Sequence, residues 1–152
     1  MKILISILAI SILTFSCSND SGSQTKRVEF TEIAKGFLAG DGAEGIIEQN
    51  IVINNESDWN DLKTKMNTVN NETDKFSETE IDFTIYQIIA VFDQIYTNGG
   101  YSINITNISE NETNIFVKIE NLLKGNDTFI ITQPYYLAKI LNSNLTVILQ
   151  ST

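Results

Sequence analysis

The chain is patterned around one apolar run, Ile85-Tyr86-Gln87-Ile88-Ile89-Ala90-Val91-Phe92, with Ile81, Asp82 and Phe83 leading into it. The run is too short for a spanning helix and too uniformly apolar for a strand with one wet face. It predicts a central strand covered on both sides. After Thr97-Asn98-Gly99-Gly100 the pattern changes to strict alternation, with Tyr101, Ile103 and Ile105 on one face and Ser102, Asn104 and Thr106 on the other. That is a half-buried strand over residues 101–108. Asn-Gly and Gly-Gly supply the positive φ angles of tight reversals, so the simplest reading joins the two strands as a hairpin.

Taken in order, residues 28–34 alternate and predict a first strand, followed by a loop over 35–42 marked by Gly36, Gly40 and Gly42. Residues 45–53 are β-branched and aliphatic around a polar centre, as in a strand bulged or kinked in the middle. The period then changes. Trp59, Leu62 and Met66 fall at i, i+3 and i+7, which makes residues 56–66 one amphipathic helix. Asn55 is placed to cap it with Asp58 three residues on, and its acids and lysines are distributed to suit the helix dipole. Trp59 lies on the buried stripe as a core anchor. Residues 67–79 are polar and read as a loop.

Residues 109–114 form a turn into a strand over 115–120, antiparallel to 101–108. Residues 122–127 reverse the chain into a strand over 128–132. Gln133-Pro134-Tyr135-Tyr136 then interrupts the ladder, because Pro134 has no N–H to donate. Residues 137–140 and 145–149 read as two short closing strands around Asn142, Ser143 and Asn144. The expected fold is a single α+β domain dominated by antiparallel β-sheet, with one early helix.

The N-terminus changes the picture of where this domain works. Met1-Lys2, the apolar stretch 3–15 and Ser16 form a charged region, a hydrophobic region and a small residue before Cys17, the one cysteine of the chain. This predicts a signal peptide over 1–16, and the junction resembles the lipobox of bacterial lipoproteins, where the new N-terminal cysteine is lipidated. Residues 17–27 would be the lipidated cysteine and a polar tether, and 28–152 the folded domain. Acyl chains contribute about 0.8 kcal/mol per buried CH₂, so two or three of them hold a protein at a membrane without a spanning helix. The alternative is a secreted protein with a free thiol. The expected location is the bacterial cell envelope, at the outer membrane. Disulfides within the mature chain are excluded, and Asn-x-Ser/Thr triplets such as Asn104-Ile105-Thr106 are not glycan sites in such a protein. The formal net charge of −9, from scattered acids, argues against a nucleic acid or an anionic lipid surface as partner.

Composition also limits the chemistry. There is no histidine, and Cys17 is taken, so Ser-His-Asp and Cys-His catalysis, the usual zinc sites and histidine-ligated haem are excluded. No calcium-loop spacing and no phosphate-binding Gly-x-x-x-x-Gly-Lys motif occurs. Asp82 and Asp93 flank the central run, but acids at strand ends are usually turn or cap residues. The expectation is a protein without catalytic residues, metal or cofactor.

Four segments in order carry a resemblance. They are Ser57-Asp58-Trp59, then Ile81-Asp82-Phe83 leading into Ile88-Ile89-Ala90-Val91-Phe92, then Asn98-Gly99-Gly100-Tyr101-Ser102-Ile103, and finally Thr132-Gln133-Pro134-Tyr135. Together they resemble the C-terminal domain of the PrcB family, lipoproteins named for membership of a protease complex, over roughly residues 46–148. Asn98 stands where that family usually has a small residue or proline, and Tyr136 where it often has histidine. The resemblance implies a non-catalytic lipoprotein that binds and stabilises a partner protein such as a surface protease. Asn98, Gly99, Gly100 and Tyr101, with Pro134 and Tyr135, would contribute the partner-binding surface: the glycines let another backbone approach, and tyrosine is a common interface anchor. Two alternatives remain open. The loop Thr97, Asn98, Gly99, Gly100 and Tyr101 could inhibit a protease by occupying its active site. Or Tyr101, Tyr135, Tyr136 and Trp59 could bind sugar or peptidoglycan fragments, if they share an exposed face.

Overall fold

Ile88, Ile89, Ala90 and Val91 are all fully inaccessible to solvent, and the layering of the fold explains why. The computed structural model describes residues 24–151; Cys17, the expected signal peptide and most of the expected tether lie outside them. Strands β2 (Thr31–Leu38), β3 (Gln49–Ile53), β4 (Tyr86–Phe92) and β7 (Gln133–Leu141) form one antiparallel sheet in the order β2-β7-β4-β3. A second sheet, β1-β5-β6-β8, is built from β1 (Lys26–Arg27), β5 (Asn104–Glu110), β6 (Asn114–Glu120) and β8 (Thr146–Ser151). Helix α1 (Glu56–Met66) covers the other side of the first sheet, whose strands are therefore buried on both faces. Ile88, Ala90, Phe92, Tyr135 and Leu137 pack with Trp59, Leu62 and Met66 on the helix side. Ile89, Val91, Tyr136, Ala138 and Ile140 pack against Ile105, Ile108, Ile115, Val117 and Ile119 of the second sheet. The result is an α+β domain dominated by antiparallel sheet.

The helix has the predicted bounds. Asn55 accepts the Asp58 N–H at 2.9 Å as its cap. Trp59, Leu62 and Met66 are buried, and the Trp59 indole N–H donates to the Thr79 carbonyl at 2.8 Å.

The predicted hairpin does not form. β4 and β5 belong to different sheets, because a strand apolar on both faces must occupy the middle layer, whereas 103–108 has one apolar face and suits an outer layer. Residues 93–103 carry the chain from one layer to the other. The strand expected over 101–108 spans Asn104–Glu110 and pairs antiparallel with Asn114–Glu120, as the order of segments predicts, with a bulge between Ile105 and Asn107.

The first strand also differs. Lys26 and Arg27 pair in the second sheet, the chain crosses at Val28 and Phe30, and β2 then runs on through Gly36 to Leu38, so the loop begins later than predicted. Gly36 belongs in that strand because the ring of its partner Tyr135 lies against it: a Cβ would sit 3.4 to 3.5 Å from the ring. Residues 128–132 form no strand, and Pro134 does not break one. It is the second residue of β7, where a missing N–H falls at the end of the ladder, and its carbonyl accepts from Asp93 N at 2.9 Å. β8 pairs with β6 in parallel, the one parallel pairing among the described strands.

Candidate functional site

Asp93 and the residues expected to form the partner-binding surface lie at one end of the sandwich, where β4 stops and β5 and β7 begin, whereas Asp82 precedes β4 at the other end. Asp93, the last buried residue after β4, organises this end. Its carboxylate accepts from Gln94 N at 2.8 Å, from the Tyr96 hydroxyl at 3.0 Å and from Asn121 Nδ2 at 2.8 Å, while its carbonyl accepts from Gln133 Nε2 at 3.0 Å. One acid thereby ties both strand ends to both crossing loops. Asp82 serves a turn, accepting from the Thr84 N–H and hydroxyl; these bonds hold its carboxyl below the usual range. Both carboxylates are occupied by local hydrogen bonds, and no cluster of three or more potential metal-ligating acids or thiols exists among the described residues.

The glycine pair belongs to a brace between residues 96–102 and 123–132. Tyr96 and Thr132 exchange backbone bonds at 2.8 and 3.0 Å, Gly99 N donates to Thr128 O, and Asn126 N to Gly99 O. Asn98 Nδ2 donates to Asn126 O at 2.8 Å, and Asn98 O accepts from the Thr132 hydroxyl. Gly100 adopts φ +81°, where a Cβ would press on the Asn126 side chain. Tyr101 stacks face to face on Tyr96, with ring centroids 3.5 Å apart and planes 7° apart.

These contacts sort the predicted docking residues. Asn98, Gly100 and Tyr101 keep partial or full exposure, whereas Gly99 and Pro134 are buried and Tyr135 is fully inaccessible. Pro134 and Tyr135 are therefore core residues and not surface. The Tyr135 phenol is held well above its ordinary pKa, first by burial and then by the Glu72 carboxylate it bonds; burial and Glu32 do the same for Tyr136. The aromatic platform imagined for sugar binding does not assemble. Trp59 and Tyr135 face the helix layer, Tyr136 faces the second sheet, and Tyr101 is stacked beyond both.

What sequence reasoning missed is the apolar surface around the brace. Seven of the ten exposed large hydrophobics lie at this end, namely Phe37, Ile47, Ile95, Leu122, Leu123, Phe129 and Ile130. Phe129 is 96% exposed and Ile47 74%. The available signal was the Leu122-Leu123 pair inside a predicted turn. Cavities of about 370 and 360 Å³ open between these side chains, one walled by Phe37, Tyr101, Leu122 and Leu123, the other by Ile46, Ile47, Ile95 and Gln133. A more polar cavity of about 500 Å³ lies beside Asp93, lined by Glu48, Asn50, Asn121 and Ser151.

Compared with protein-family models, with curated proteins and with solved structures, the chain matches none. Among the described residues no helix is long and apolar enough to cross a membrane.

Proposed function

We propose that the chain is a non-catalytic, lipid-anchored envelope protein that docks a partner protein, such as a surface protease, on this apolar end and stabilises it. The concentration of exposed apolar side chains there carries the reading, since apolar surface gathered at one end, unlike singly scattered residues, marks interaction sites. Position supports it. β1 pairs with the far end of β5, opposite Ser109 and Glu110, so the chain toward Cys17 leaves the domain at the end opposite the apolar one. Leu141 and Asn142 share that far end with Lys26 and Arg27. Seven chain steps separate Cys17 from Gln24, a reach of at most ~25 Å, which keeps the far end near an anchoring membrane and turns the apolar end outward. The PrcB-like order of segments is consistent with such an accessory role. The inhibitor reading draws no support from the loop 97–101, which is braced against 124–132 instead of protruding.

A photo-cross-linking amino acid placed at Phe129 or, as a comparison, at Leu141 tests the proposal in intact cells. Discrete protein adducts from the Phe129 position, absent from Leu141, are expected. Adducts from Leu141 alone, or from neither position, overturn it.

A further inference from the structure

Strand β1 is only two residues long and pairs with the last two residues of β5, Lys26 opposite Glu110 and Arg27 opposite Ser109. Val28 adds one bond, its N–H donating to Ile108 O at 2.9 Å, and the chain then crosses to the other sheet. Over residues 104–107, β5 therefore has β6 on one side and no described strand on the other. The layer next to it is uncovered at the same place. In β2, Lys35 lies opposite Tyr136 and Phe37 opposite Pro134, on the face that elsewhere packs against the second sheet. Yet Phe37 is 46% exposed. A phenylalanine on an inter-sheet face is left half in water because the column of β1 stops short of it. The space is a groove of about 370 Å³, walled by Lys35, Phe37, Tyr101, Ile103, Leu122 and Leu123.

We infer that this groove is a strand-addition site: an extended, largely apolar segment of a partner protein pairs with β5 over residues 104–107, in line with β1. An unpaired strand edge is a template for another backbone, and the neighbouring pockets select alternate side chains. Four residues of extended chain cover about 13 Å, the length of the β5 edge left open over residues 104–107. Among the described residues Lys35 is the only charged one lining the groove, and its ammonium already pairs with Glu32 at 3.0 Å, so the segment that fits is uncharged there. The inference rests on the protein-docking reading and specifies its mode of recognition.

The test uses a displayed library of random peptides selected on the full chain in detergent. The best-enriched peptide is then synthesised with an ordinary backbone and with an N-methylated one. Expected are alternating apolar sequences without charged residues, amide shifts and slowed hydrogen exchange at residues 104–107, and at least tenfold weaker binding for the N-methylated peptide and for Phe37→Glu. The N-methylated comparison uses the wild-type protein, so it decides the matter even if Phe37→Glu folds poorly. Equal binding by the N-methylated peptide, shifts at Ile47, Ile95 or Phe129 instead, no enrichment over an unrelated protein, or protection of 104–107 by self-association overturns the inference. Adducts at Phe129 that persist in Phe37→Glu would sink strand addition alone, whereas loss of adducts from the wild type would sink the docking reading itself.

Discussion

The Tyr135 hydroxyl donates a 2.8 Å hydrogen bond to Glu72 Oε1, across 63 positions of sequence, and both side chains are buried. The same carboxylate oxygen takes the Lys75 ammonium at 2.7 Å, so the acid enters the core already paired. Tyr135→Phe keeps the ring and removes the donor to a buried charge. It should cost about 1.5 to 3 kcal/mol, read as a lower denaturant midpoint at unchanged slope. A change below about 0.5 kcal/mol would mean the bond does not form. Partner capture per folded molecule should not change, since the side chain never reaches the surface.

Tyr135 and Tyr136 also give stability a pH dependence. Burial, aided by Glu72 and Glu32 respectively, raises both phenol pKa values above that of an unfolded tyrosine, about 10. Above that pH the unfolded chain releases protons that the folded chain retains, so folding stability falls as pH rises. Below about pH 10 both states are protonated and the contribution is constant. The loss approaches about 1.4 kcal/mol per pH unit for each such phenol. Phenolate absorbance should show these two tyrosines titrating only together with unfolding; free titration while the fold persists would contradict their placement.

How much of this was legible depends on whether a signal is local. The helix was, because its cap Asn55 and the stripe Trp59, Leu62 and Met66 of its eleven residues are local to one another. The doubly covered strand β4 was legible from its two apolar faces. Its partner was not: Asn98, Gly99 and Gly100 carry turn chemistry, and nothing local tells a hairpin turn from a crossing between layers. Pro134 misled for a related reason, since whether a missing N–H matters depends on where the ladder ends. Glu72 lies in a stretch that reads as solvated, and only the fold brings Tyr135 to it. The apolar end escaped notice because its members come from segments as distant as Phe37 and Phe129.

Tyr101 is held between the ring of Tyr96 and Gly125, and that arrangement requires glycine. Gly125 has φ +90°, and a Cβ there would lie 2.5 Å from two carbons of the Tyr101 ring. Gly125→Ala should therefore cost about 2 kcal/mol or more, combining left-handed backbone strain with displacement of the ring. Gly99 makes the control. Its backbone is not left-handed and an added Cβ would meet Thr128 at an ordinary 3.6 Å, so Gly99→Ala should cost under about 1 kcal/mol. Equal melting temperatures for the two variants would refute this account of the brace.

The anchor is tested at Cys17. Labelled fatty acid should enter the wild-type protein and be absent from Cys17→Ala, which should leave the membrane fraction. Because acyl burial at about 0.8 kcal/mol per CH₂ is the whole basis of the expected attachment, equal membrane recovery of the two proteins would refute the lipoprotein reading.

The docking surface is best probed at Leu122 and Leu123, which are 60% and 59% exposed beside the groove. The backbone bonds between Leu123 and Ser102, Ser102 N to Leu123 O at 3.3 Å and Leu123 N to Ser102 Oγ at 3.1 Å, do not depend on a leucine side chain. Leu122→Asp and Leu123→Asp should therefore leave stability within about 0.5 kcal/mol of wild type. An aspartate in a desolvated contact is another matter, and capture of the partner by the purified full chain should fall at least tenfold. Asn98→Lys is the less useful variant, because it removes the bond from Asn98 Nδ2 to Asn126 O and should cost about 1 kcal/mol of stability in its own right. Measuring capture and melting temperature on the same samples separates the cases. If both leucine variants fold normally and capture the partner undiminished, docking does not use this groove and must involve the neighbouring surface of Ile47, Ile95 and Phe129. If they melt early, the leucines support the loop, and their exposure misrepresents their role.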